Sequence, residues 1–440
     1  MMVFLLCVPC LSGCGSITDF SDNQREPDRE ELPEDTAESE AAKDVDAEAL
    51  SEEAVPEKGS AGQEYLDIEE NKVEEGSGNL SKEELEKKRE EIGLSQAGII
   101  GLQESQSGNY YFEQLGSDEK ILYVECYQIL VMLAGDTLLS TTDAALLPRV
   151  YQCVINDHPE LFYLNGYTYT QYTRLEEVQY ITFSGRYIYD EREVARRQDA
   201  IDAAVEEKIG NLTSSSDYET VRQIYEDLIL STDYSMESPD NQNICSVFLD
   251  KKSVCNGYAK ALQYMLNYMG IPCIIVNGSA GGGAHAWNIA QIDGAYYHID
   301  ATWGDPSYYS SAQEEKDGAP DIDYGYLCVT TAEISKNHAI DTSFAVPECF
   351  ALDANYFVRE GLYVQGYEEE KIREIFEAAK ERGERVVALK ASGSQAYQEV
   401  YENLINKQKI FDYFGTYQDD GEYKIAYSGN EDMYTLSFWE

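Results

Sequence analysis

The chain has 440 residues, with 82 acidic against 33 basic side chains and a formal net charge of −49. That balance excludes a nucleic-acid binder, which needs clustered Lys and Arg against phosphate, and equally a polybasic membrane-surface binder. At about 100–200 residues per domain, the length allows two or three domains with a real core.

Met1 to Gly13 is apolar and uncharged. It is shorter than the about 20 residues that cross a bilayer, and reads as the apolar part of a signal peptide. Residues 15–91 then carry 27 acidic and 9 basic side chains, with Phe20 and Tyr65 the only aromatics. Like-charge repulsion and low hydrophobicity predict an acidic, disordered stalk over residues 15–97. Inside it, Ser81–Ile92 alone has helix-forming composition, opened by a Ser81–Glu84 capping box.

The body follows. Lys120–Leu133 sets Ile121, Leu122, Cys126, Ile129 and Leu130 at helical period, and Leu147–Ile155 predicts a second helix that Pro159 stops. Leu161–Tyr172 and Val178–Tyr189 read as a strand pair. Glu191–Ile209 and Tyr218–Leu230 return to helix. Another helix runs from Cys255 and is closed by Gly270 and Pro272. Strands follow at Cys273–Val276, Ala286–Ile292 and Ala295–Asp300. A composition change near Val346 opens a small α+β domain, with helices at Glu368–Arg382 and Gln395–Asn406 and strands at Val386–Leu389, Lys424–Tyr427 and Tyr434–Phe438. The domain boundaries expected are therefore 1–14, 15–97, 98–215, 216–345 and 346–440.

Ten cysteines are present, three of them in the leader. The other seven form no CxxC pair, which argues against a zinc ribbon or a disulfide scaffold. Seven is odd, so a free thiol is expected, and Cys255 is the candidate nucleophile. It opens a helix, where free N–H groups and the positive end of the macrodipole favour a thiolate. Asp293-Gly294 between two β-rich runs signals a two-residue hairpin. That loop pairs Ile292 with Ala295 and puts Trp287 opposite Asp300. His285 and Trp287 share a face, so Asp300 is a diagonal neighbour of His285, within reach of an imidazole–carboxylate hydrogen bond. Trp287 is expected to shield that pair, and Trp303 to lie on the other face as core. His298 reads as structural. A metal set of Cys255, His285 and His298 suits no common zinc spacing, so no metal or cofactor is expected. Gly281-Gly282-Gly283 precedes a strand and is not a dinucleotide loop.

Three blocks carry a resemblance. They are Val254-Cys255-Asn256-Gly257-Tyr258-Ala259, His285-Ala286-Trp287-Asn288 and Tyr297-His298-Ile299-Asp300-Ala301-Thr302-Trp303. In order and spacing this segment resembles the transglutaminase-like superfamily. The resemblance implies an α+β, papain-like core, with a helix-borne Cys against an antiparallel sheet. An N-terminal helical and β-hairpin extension and the small C-terminal domain would flank it. It also implies Cys255 as nucleophile, His285 as general base and Asp300 as orienter. The family's side-chain oxyanion donor lies upstream of the Cys and is often Gln. Ser246 is the candidate here, with Asn256 and Trp287 as supporting residues. Separately, Leu11-Ser12-Gly13-Cys14 resembles the lipobox of bacterial lipoproteins, although no basic residue precedes it. This implies lipidation at Cys14 and an extracytoplasmic protein anchored to the bacterial cell membrane.

The function expected is thiol-dependent acyl transfer on peptide or isopeptide amides, foremost hydrolysis through a thioester. The substrate would be a peptide or protein, with cell-wall peptide among the candidates. Protein crosslinking by true transglutaminase chemistry and a non-catalytic surface binding module are the alternatives.

Overall fold

The computed structural model describes residues 12–18, 72–74, 81–175, 177–306, 318–414 and 424–439. The expected leader up to residue 11, and the stalk outside residues 12–18, 72–74 and 81–97, lie outside these residues.

The centre is an antiparallel five-stranded sheet in the order Leu327–Val329, Ala295–Ile299, Gly283–Ile292, Cys273–Ala280, His338–Ile340. Helix Cys255–Tyr268 packs on it, burying Tyr258, Ala261, Leu262, Met265 and Leu266. These are the apolar positions at helical spacing. Strands Leu164–Arg174 and Glu177–Tyr187 pair antiparallel, as their alternation predicts. A third sheet holds Tyr363–Val364, Val386–Ala391, Lys424–Asn430 and Thr435–Trp439, with helices Glu369–Arg382 and Ser394–Tyr401 beside it. The backbone of Ser12–Thr18, which includes Cys14, runs antiparallel to Lys424–Asn430.

The fold is α+β, with the helix-borne Cys against an antiparallel sheet. Its boundaries differ from the expected ones. Residues 81–97 pack on the body, and strands Ser12–Thr18 and Lys72–Glu74 pair with Lys424–Asn430 and Thr170–Tyr172, so the body is not confined to residues after 97. Helix Lys82–Glu91 has its capping box but is no part of a loose stalk, because Leu85 is buried and Arg89 is paired with buried Glu125. One apolar core then runs continuously from Leu94 to Ala354. The extension and the central sheet are thus one body, because they share the side chains that exclude water. The C-terminal module has its own core, from Val364 to Phe438. Residues 346–360 belong to the main body, where Tyr356 stacks on Tyr324 at 3.8 Å and Tyr218 donates to Glu360 at 2.9 Å.

Candidate active site

Cys255 is the first residue of its helix, and the N-cap residue Val254 makes no side-chain cap hydrogen bond. The first-turn amides therefore stay open toward whatever sits beside the sulfur. Gly257 explains the local packing. A Cβ there would stand 1.9 Å from Ser253 Oγ and 2.7 Å from Ser246 Oγ.

His285 and Asp300 come from the hairpin. Asp293 (φ 50) and Gly294 (φ 84) make the two-residue loop, and the ladder runs from Ala295–Ile292 to Ile299–Asn288. Left-handed backbone at both loop residues matches the strand twist, which is why Asp-Gly selects this turn. His285 Nε2 lies 2.7 Å from Asp300 Oδ2. The other carboxylate oxygen, Oδ1, accepts the backbone N–H groups of Thr302 (2.9 Å) and Trp303 (3.0 Å). With Nε2 engaged, Nδ1 is the His285 nitrogen left to serve Cys255, whose thiol lines the same cleft. All three side chains are buried.

Burial by itself would push the His285 imidazolium down. The Asp300 charge, its hydrogen bond and the Cys255 thiol reverse this and raise the ring to about 10. Burial likewise works to raise Asp300, but His285 and His338 hold it well below the usual carboxylate range. The body holds six further cysteines. Burial pushes Cys153, Cys245 and Cys349 up to about 12, and raises Cys126, Cys273 and Cys328 too. All seven are free.

Cys255 and His285 open into a cleft of about 650 Å³. Tyr111, Arg149 and Asn156 of the extension form one wall, and Asp341 and Phe344 another. Arg149 lies over the Phe344 ring at 4.9 Å, so the wall is a cation on an aromatic. Lys260 lines the same cleft, and burial brings it down to about 8.

Of the supporting residues, Trp287 is buried and stacks on His285 at 5.9 Å, covering the His–Asp pair. Its Nε1 donates to His298 Nδ1 at 3.0 Å. His298 Nε2 then donates to Thr331 Oγ1 at 3.1 Å, and burial lowers the ring to about 3, so it sits neutral between the two. Asn256 reaches the cleft, but its Nδ2 donates to Gln242 Oε1 at 2.8 Å. Ser246 must be corrected. Its hydroxyl is spent on Asn243 O (2.7 Å) and Ser253 Oγ (2.6 Å) under Gly257, away from the cleft, so it holds the loop and not an oxyanion. Gln242 is an upstream side chain that reaches the helix start, through its bond with Asn256. Trp303 is core, as expected, but not remote from the pair: the strand ends at Ile299, so alternation no longer governs residue 303, and its ring packs 4.6 Å from His338 and 6.2 Å from His285.

His338 is the residue that motif and pattern reading missed. Its Nε2 lies 2.9 Å from the same Asp300 oxygen that His285 uses. The chain has only four His, and three of them, His285, His298 and His338, gather here. That scarcity was the available signal. His285, Asp300 and His338 offer three close donor atoms, yet both rings sit 2.7–2.9 Å from one oxygen. Ligands around a tetrahedral zinc stand about 3.3 Å apart, so this spacing is that of hydrogen bonds.

Residues 203–301, which include Cys255, His285 and Asp300, match the model of the transglutaminase-like superfamily. Kyphoscoliosis peptidase of Mus musculus is 23% identical over 136 residues, covering 27% of this chain and 21% of that protein. Among solved structures, a TGase is similar at 14% identity over 36% of this chain and 56% of its own, with a TM-score of 0.24. The periplasmic domain of TgpA from Pseudomonas aeruginosa, bound to ethylmercury, is similar at 18% identity over 30% of this chain and 59% of its own, with a TM-score of 0.20. The chain therefore spans about a fifth of the curated relative (21%) and less than two thirds of either structure.

Proposed function

From the transglutaminase-like domain at residues 203–301, we propose that this protein is a thiol-dependent acyltransferase on peptide or isopeptide amides, with water as its acceptor. One observation supports the reading: an imidazole held by Nε2 at 2.7 Å from a buried carboxylate lines the same cleft as a thiol at a helix start.

His285 takes the Cys255 proton on Nδ1, and the thiolate attacks the amide carbonyl carbon. Amides of the first helical turn stabilise the oxyanion, with Gln242, which accepts from Asn256 at 2.8 Å, the candidate side-chain donor. The C–N bond then breaks as His285 returns the proton to the departing amine, leaving a thioester on Cys255. Water adds to that thioester, giving up a proton to His285, and the acid is released with the thiol restored. Asp300 keeps the ring oriented and stabilises its charge throughout. We further propose that Cys14 carries a lipid that holds the protein at the outer face of a bacterial cell membrane, consistent with the lipobox-like Leu11-Ser12-Gly13-Cys14.

The test pairs peptide-library turnover with mass spectrometry for wild type and C255A. The expected result is amide cleavage without incorporation of an added primary amine, and loss of about 10³-fold or more in C255A with its fold intact. Incorporation of the amine would instead favour crosslinking. Failure of Cys255 to react with iodoacetamide near pH 6 ahead of the other six thiols would leave a binding module.

A further inference from the structure

Asp300 is approached from two sides. His285 reaches it from the neighbouring strand of the hairpin. His338 starts the strand at the far edge of the sheet, three places from Ala295–Ile299 in strand order. In a flat sheet three spacings would hold them about 14 Å apart. The sheet must curl for His338 Nε2 to stand 2.9 Å from Asp300 Oδ2. The ring is buried, with Trp303 and Trp287 at 4.6 and 5.1 Å.

Beyond His338 the chain of contacts continues into the C-terminal module. Asn337 Oδ1 lies 2.6 Å from His338 Nδ1. Asn337 Nδ2 lies 3.2 Å from Asp432 Oδ2 and 3.2 Å from the Tyr326 hydroxyl. A carboxylate only accepts, so Asp432 fixes which way the Asn337 amide faces and turns its oxygen toward His338. The loop bearing Asp432 is itself anchored. Met433 is buried in a small core with Trp303 and Tyr326, and Lys390 Nζ donates to its carbonyl at 2.6 Å.

We propose that His338 is a positioning residue that locks the Asp300 carboxylate, and that the C-terminal module sets its orientation through Asn337 and Asp432. This rests on the reading of Cys255 as nucleophile and assigns that module a role: it braces the active site from behind. A ring with acceptors at both nitrogens serves Asp300 fully as an imidazolium. Burial foremost, then the neighbouring His285 ring, push His338 below its ordinary value while Asp300 pulls it up; His298, packed beyond Trp287, is neutral and adds no charge. His338 therefore gives up its proton before His285 does.

The experiment needs no substrate. The rate of Cys255 alkylation by iodoacetamide is followed from pH 4 to 9 in full-length wild type, H338A, H338Q and D432A, with melting curves to confirm folding. H338A is expected to slow alkylation at pH 6 by about 10-fold or more, as loss of an outer-shell partner commonly does. The pH at which the His285 imidazolium is lost should move down, because a loosened Asp300 holds its proton less well. H338Q, which can still donate to Asp300, should recover to within about threefold of wild type, and D432A should shift the profile the same way by a smaller factor. Wild-type rate and inflection in folded H338A overturn the proposal. If H338A does not fold, an unchanged profile in D432A overturns it. A wild type whose Cys255 reacts no faster than the other thiols overturns the nucleophile reading first, and this one with it.

Discussion

A Cβ on Gly257 would stand 1.9 Å from Ser253 Oγ, inside the first turn of the helix that Cys255 opens. The Ser253 hydroxyl is held at 2.6 Å by Ser246, itself fully buried, so neither can retreat. The tight packing of this turn sets where the sulfur points.

G257A is therefore expected to cost about 1–3 kcal/mol through overpacking and to displace Cys255. Melting curves read the first effect and iodoacetamide labelling of Cys255 the second. A variant with wild-type melting and labelling would contradict this view of the turn.

The ion pair of His285 and Asp300 makes stability depend on pH in a definite direction. His285 is raised from 6.5 to about 10, so its contribution is complete below pH 6.5 and is lost as pH rises through about 10. Asp300 is lowered from 3.8, so its contribution is present above pH 3.8 and is lost only as pH falls through its depressed value. The difference in melting temperature between wild type and D300N should be largest near pH 5–6.5 and shrink toward pH 10. Comparing the two proteins at each pH removes the opposite trend of Lys260, which burial brings down to about 8. A constant difference across that range would rule out the charged pair.

Lys390 joins the C-terminal module to the main body. Its Nζ is 2.9 Å from Glu333, with both side chains largely out of water, and burial pushes the lysine down while Glu333 pulls it up. K390M leaves the Glu333 charge with one partner fewer and frees the Met433 carbonyl. A loss of about 3 kcal/mol is expected, read by denaturant unfolding. If the module braces the active site, Cys255 labelling should slow in the same variant. An unchanged unfolding midpoint would mean the modules meet without this pair.

Much of the site could be read locally. Asp293-Gly294 specifies a turn whose two backbone conformations suit only one hairpin register, and that register carries His285 and Asp300 to one face. Gly270, with φ 78, closes the helix that Cys255 starts, so the sulfur's position at the helix start was legible too. Ser246 misled because nearness in sequence says nothing about which way a hydroxyl turns, and here it turns into the loop. The face expected for Trp303 misled because alternation ends where the strand does, at Ile299.

From the residues alone came the period-two and helical patterns, the hairpin register and the pairing of His285 with Asp300, because turns and alternation depend on neighbours in the chain; Cys255 was joined to them only through the family resemblance. The tertiary structure alone brought His338 onto Asp300 and Asp432 up behind it, and docked Ser81–Ile92 on the body through Leu85 and Arg89. Those contacts join positions 36 to 95 residues apart, and they exist only because the sheet curls and separate elements pack against each other, which no local rule encodes.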